Sequence, residues 1–139
     1  MKRRNSRAKD RRRPLSRLLR REGGMNPTKN STYRFVALDV ALEMIRQLRE
    51  PLAKIRTHDA DLAKQIRKAA ASVPLNVAEG SRRAGGDRAY AFRVALGSAD
   101  EVRAALMCAD AWGYAAADEE LLATLDRLMG LIWGLGGRR

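Results

Sequence analysis

The residues best equipped for chemistry are His58 and Cys108, the only histidine and the only cysteine in the chain. A four-helix scaffold most often does redox chemistry through a carboxylate-bridged di-iron centre. Such a centre needs inward glutamates and Glu-x-x-His pairs. Ile55 stands three residues before His58, so the pair is not formed, and His58 reads as a surface or capping histidine. A cysteine nucleophile needs a histidine partner or a helix N-terminus to hold it as thiolate. No histidine follows Cys108 and no helix start lies near it, so it reads as a small packed side chain. Gly80 to Gly86 lacks the spacing and the preceding strand of a phosphate-binding loop. These residues predict no enzyme, no metal and no cofactor.

Two further groups remain. Asn76 and Glu79 are polar residues in an apolar half-turn that follows Pro74. Their expected role is structural. Asn76 would bond the backbone carbonyl of Ala70 that Pro74 leaves free, and Glu79 would pair with Arg82 or Arg83 one turn on. Pro74, Asn76, Glu79 and Gly80 are therefore read as one structural motif. The second group is basic: Arg82, Arg83, Arg88 and Arg93 span the loop and the start of the third helix, and Arg67 and Lys68 add charge to the second helix. Arginine and lysine clusters neutralise phosphates, so these six are the candidate nucleic-acid contacts. The competing reading is ordinary solvated charge balanced by Glu79, Asp87 and Asp100. Sequence-specific readout is not expected, because no aromatics interleave with the cations.

Helices must position these groups. Leu38, Leu42, Ile45, Leu48, Leu52 and Ile55 step by three or four and predict a helix over 33–56, kinked at Pro51. Leu62, Ile66, Ala69, Val73, Val77 and Gly80 predict a second over 59–80, capped by Thr57 or Asp59. Residues 81–87 read as a loop with Asp87 as the next cap. A third helix over 88–112 carries Phe92, Leu96, Ala99 and Leu106, beside a small-residue line of Ala91, Ala95, Ser98, Ala105 and Ala109 that admits a close neighbour. A fourth, over 118–135, buries Leu121, Leu125, Leu128, Ile132 and Leu135. Short connections between four such helices predict an all-α, antiparallel up-and-down four-helix bundle. Leu96 is expected inside it, where truncation to alanine would cost about 2–5 kcal/mol.

Charge divides the chain. Of 139 residues, 28 are Lys or Arg and 16 are Asp or Glu, a net charge of +12. Residues 1–30 carry +10 of this and residues 31–139 only +2. The expected organisation is a disordered basic tail over 1–30 and the bundle over 31–139. Leu15, Leu18 and Leu19 would support a short basic amphipathic turn before Gly23. Met25 is an alternative start: Arg20 to Gly24 can be encoded by purine-rich codons resembling a bacterial ribosome-binding site, which would make residues 1–24 a gene-calling artefact. No apolar run is long enough for a membrane span and no secretory h-region follows the basic start. A lone cysteine fits a reducing cytoplasm.

The stretch Gln65-Ile66-Arg67-Lys68-Ala69-Ala70-Ala71-Ser72-Val73-Pro74-Leu75-Asn76-Val77-Ala78-Glu79-Gly80 resembles a known signature. Phe92-Arg93-Val94-Ala95-Leu96-Gly97-Ser98-Ala99-Asp100-Glu101, then Ala109 and Trp112-Gly113-Tyr114, supplies a second landmark. Together they resemble the four-helix-bundle family of proteins encoded in intervening sequences of bacterial large-subunit ribosomal RNA genes. The resemblance covers roughly residues 33–135. It implies a homopentamer without established biochemical activity. A related branch, the accessory proteins of diversity-generating retroelements, implies a basic pentamer that binds RNA or DNA and holds a reverse transcriptase. The chain departs from the pattern at Phe35 and Val36, where a tryptophan is usual, at Leu75 for a small residue, and at Trp112 for leucine. The expected function is a non-enzymatic oligomeric adaptor with non-specific nucleic-acid affinity. The alternative is a purely structural, protein-binding oligomer that binds no nucleic acid.

Overall fold

The computed structural model describes residues 29–136, with side chains from Val36 onward. The basic tail over residues 1–28, its amphipathic turn and the alternative start at Met25 lie outside the described residues, as do residues 137–139. Four helices follow in order: α1 (Lys29–His58), α2 (Ala60–Arg82), α3 (Gly85–Ala111) and α4 (Glu119–Leu135). No strand occurs among the described residues.

The helix ends show why the chain folds locally as it does. Asp59 alone separates α1 from α2, and its carboxylate accepts from Leu62 N at 2.9 Å, which satisfies one orphan amide of the new helix. Thr57 is not the cap; its hydroxyl donates to the Lys54 carbonyl of its own helix. Asp118 lies just outside α4 and accepts from Glu120 N and Leu121 N. α1 runs unbroken through Pro51. The α2–α3 connection is shorter than the sequence suggests. Helix α2 continues to Arg82, α3 starts at Gly85, and Ala84 sits at the cap position without a side-chain bond. Asp87 is therefore in the first turn of α3, where it faces the positive end of the helix dipole instead of capping it.

The most extensive helix–helix contact is α2 with α3, followed by α1 with α2, α1 with α4, and α3 with α4. Ser72 meets Ser98 and Gly80 meets Phe92, so α2 and α3 run antiparallel. Arg103 meets Asp126 and Phe92 meets Gly136, so α3 and α4 do too. Aliphatic residues fill the centre, and Phe92 is the largest fully buried side chain among the described residues.

All five apolar positions of the α4 stripe are buried. Two expectations on α3 fail. Leu96 is only half-buried, and Cys108 is exposed, not packed. Both lie off the arc centred on Ala95, Ala99 and Leu106 that the other helices cover, Leu96 at its edge and Cys108 well outside it. On α1, Met44 is fully buried while Leu42, Ile45 and Leu52 are only partly so.

Candidate nucleic-acid interface

The motif after Pro74 is built from one helical turn. Asn76 Nδ2 donates to the Ser72 carbonyl at 2.8 Å and contacts Ser72 Oγ at 3.1 Å. Its partner is therefore Ser72 and not Ala70. A side-chain amide reaches the carbonyl one turn back, whereas Ala70 lies six residues away. Ser98 Oγ on α3 donates to Ser72 Oγ at 2.8 Å, so the three residues form one polar chain across the α2–α3 interface. Glu79 pairs with Arg83 at 2.8 Å, with both Nε and Nη2 of the guanidinium on Oε1. Gly80 is buried against the Phe92 ring. Pro74 is buried and Leu75, next to it, is 69% exposed.

The six candidate cations fall apart into separate places. Arg83 is held by Glu79. The Arg88 guanidinium carbon lies 5.1 Å from the centre of the Phe92 ring, and that of Arg93 lies 6.0 Å from the Tyr90 ring. Both distances suit cation–π attraction. Arg82 is exposed at the end of α2, and Lys68 is exposed in its middle. Arg67 belongs elsewhere. Fifteen residues separate it from Arg82, about 22 Å along the helix. It lines a groove of about 460 Å³ between α1 and α2, together with Arg49, Arg56 and Lys64.

Arg49, Arg56 and Lys64 were not singled out by sequence. Arg49 and Arg56 are two turns apart on α1, a spacing that signals a shared face. Only the pairing of α1 with α2 brings Lys64 and Arg67 opposite them.

The end of the bundle that joins α1 to α2, opposite Gly80 and Arg82, holds an aromatic stack that sequence reasoning also missed. α3 ends in paired backbone bonds, Gly113 N to Asp110 O and Tyr114 N to Ala109 O, both 2.9 Å. This C-terminal turn requires a left-handed residue, and Gly113 supplies it at φ 75°. The turn aims Tyr114 at His58, with ring centres 5.2 Å apart and planes 4° from parallel. Trp112 also stacks on Tyr114, with ring centres 6.2 Å apart and planes 13° from parallel. His58 is thus an exposed side chain stacked on Tyr114. Among the described residues, no group of three or more His, Cys, Asp or Glu side chains is placed to hold a metal ion. No described helix is long and apolar enough to cross a membrane.

These features define an all-α four-helix-bundle protein with polar contacts at its helix caps, across its α2–α3 interface and on its surface. The chain belongs to the 23S rRNA-intervening sequence protein family, whose model matches residues 35–134. No curated protein and no solved structure matches the chain.

Proposed function

We propose that this protein is a non-enzymatic, self-assembling adaptor with non-specific affinity for nucleic acid. The observation that carries the self-assembling half of the reading is a set of exposed apolar and aromatic side chains beside two neighbouring grooves on α2, α3 and α4. Leu75 and Tyr90 line one groove between α2 and α3, with Tyr90 62% exposed. Arg93 lies over Tyr90 and also lines the neighbouring hollow of α3 and α4, which contains Leu96 and the 62%-exposed Trp133. Scattered exposed apolar residues are ordinary on a protein surface, whereas large ones gathered beside neighbouring grooves favour an interaction site. Aromatics and arginine are also the residue types enriched at the centres of protein interfaces.

The family resemblance makes a homopentamer the expected assembly, and a reverse transcriptase or another protein its partner, in a bacterial cytoplasm. Repeating Arg67, Lys68, Arg82, Arg83, Arg88 and Arg93 around a ring multiplies weak phosphate contacts into avidity. Light scattering on the full chain tests the assembly. A mass of several chains that falls to one on Tyr90→Glu or Trp133→Glu supports it; a monomer at all concentrations removes it. Binding of labelled RNA and DNA across a salt series tests the second half. Steep weakening with salt is expected. Assembly without binding at low salt would leave the purely structural, protein-binding reading.

A further inference from the structure

We infer that the groove between α1 and α2 is a seat for a run of phosphates, formed by Arg49, Arg56, Lys64 and Arg67. It rests on, and localises, the nucleic-acid half of the proposed function.

Four cations converge on this groove, and no carboxylate lines it. All four are exposed. None of them has an ion-pair or hydrogen-bond partner among the described residues. The contrast with neighbouring cations is informative. Arg46, Lys54, Arg83 and Arg103 each have a carboxylate within 4 Å. Of the acids near the groove residues in sequence, Glu50 and Asp59 are engaged elsewhere, while Asp61, three residues before Lys64, forms no ion pair with it and does not line the groove. Glu50, beside Arg49, reaches Lys54 instead. Asp59, three residues after Arg56, has its carboxylate on Leu62 N. Solvated charge spread for solubility has no reason to gather four like charges in one hollow, where they repel one another. An anion bound there removes that repulsion.

The shape suits a chain of phosphates better than a single one. Arg49 and Arg56 are seven residues apart, which places them about 10.5 Å apart along α1. That length exceeds a single phosphate group, so the four cations can engage more than one phosphate of a strand. The groove wall between the cations contains Ala53 and Ala63, small side chains that leave the backbone of a bound strand room to lie between the helices. No aromatic side chain lines the groove, so the contact reads charge and not base identity.

A run of phosphates can come from RNA, from DNA or from inorganic polyphosphate, and the experiment separates these sources. The full chain is titrated into a labelled single-stranded 20-mer RNA, its DNA counterpart and labelled inorganic polyphosphate, each over a salt series. The same is done with a groove variant, Arg49→Gln, Arg56→Gln, Lys64→Gln and Arg67→Gln. A charge-matched control carries Arg46→Gln, Lys54→Gln, Arg103→Gln and Arg127→Gln. Both variants are first required to keep the helical circular dichroism and melting temperature of the parent. Each lost phosphate contact lowers the slope of log K against log salt by about 0.7 for a single strand. The groove variant is expected to lose about 3 in slope per engaged protomer, and the control less than 1.

Equal slopes for the groove variant and the parent would overturn the groove while leaving nucleic-acid binding intact. A slope loss seen with polyphosphate alone, and no binding of either oligonucleotide, would support the groove and overturn the nucleic-acid reading. No binding of any of the three by the parent would overturn both.

Discussion

Gly80 and Phe92 fit together with no space for a methyl group. A Cβ built on Gly80 would lie 2.9 Å from Phe92 Cε1 and 3.0 Å from Cζ. Phe92 is 1% exposed, with its ring enclosed by the core and Arg88 over its face, so it has little freedom to withdraw. This contact lets α2 and α3 approach closely at the end where the family signature finishes.

Gly80→Ala is therefore expected to destabilise the bundle, although alanine is the better helix former by about 1 kcal/mol. Overpacking against a buried ring costs about 1–3 kcal/mol and outweighs that gain. Chemical denaturation measures the balance. Phe92→Leu in the same chain should recover part of the loss; a more stable Gly80→Ala protein would show that the ring moves freely.

Asn76→Ala removes two contacts to Ser72 and is expected to cost about 1 kcal/mol. The effect should couple to Ser98→Ala, because Ser72 Oγ is shared by both neighbours. A double-mutant cycle reads the coupling directly. Strict additivity would mean that the three side chains act independently.

Leu125→Ala and Leu96→Ala should separate clearly. Leu125 is fully buried, and its truncation is expected to cost about 2–5 kcal/mol. Leu96 is half-buried, so it loses less contact and leaves no closed cavity. Its cost should stay below about 2 kcal/mol. Equal losses in thermal melts would place Leu96 inside an interface that the single chain does not contain.

Asp118→Ala and the Arg103–Asp126 pair offer a comparison of local and cross-helix polar contacts. Losing the Asp118 cap exposes two amides of α4 and should cost about 1 kcal/mol. The Arg103–Asp126 ion pair is short, at 2.7 Å, but both side chains are well exposed. Its coupling energy is expected to be below about 1 kcal/mol and to shrink with added salt. A coupling that persists in high salt would count against this assignment.

What the sequence determined was everything that one helix decides for itself. Period fixes angle, so the α4 stripe from Leu121 to Leu135 and the α2 line from Ile66 to Gly80 were legible. Reach fixes local partners, so the Asp59 cap and the Glu79–Arg83 pair were legible as well, one as one of two candidates and the other as one of two arginines. The tertiary structure decided what depends on a neighbour. Which arc of α3 is covered left Leu96 half-buried and Cys108 exposed. Which helices stand side by side joined Ser72 to Ser98, seated Phe92 on Gly80 and brought Tyr114 to His58. The rise of α2 alone keeps Arg67 apart from Arg82, but only the pairing of α1 with α2 placed it in a groove with Arg49, Arg56 and Lys64. Those four side chains come from two helices and lie up to 18 residues apart in the chain. No periodicity within a single helix encodes their meeting, because it is set by how two helix surfaces pack.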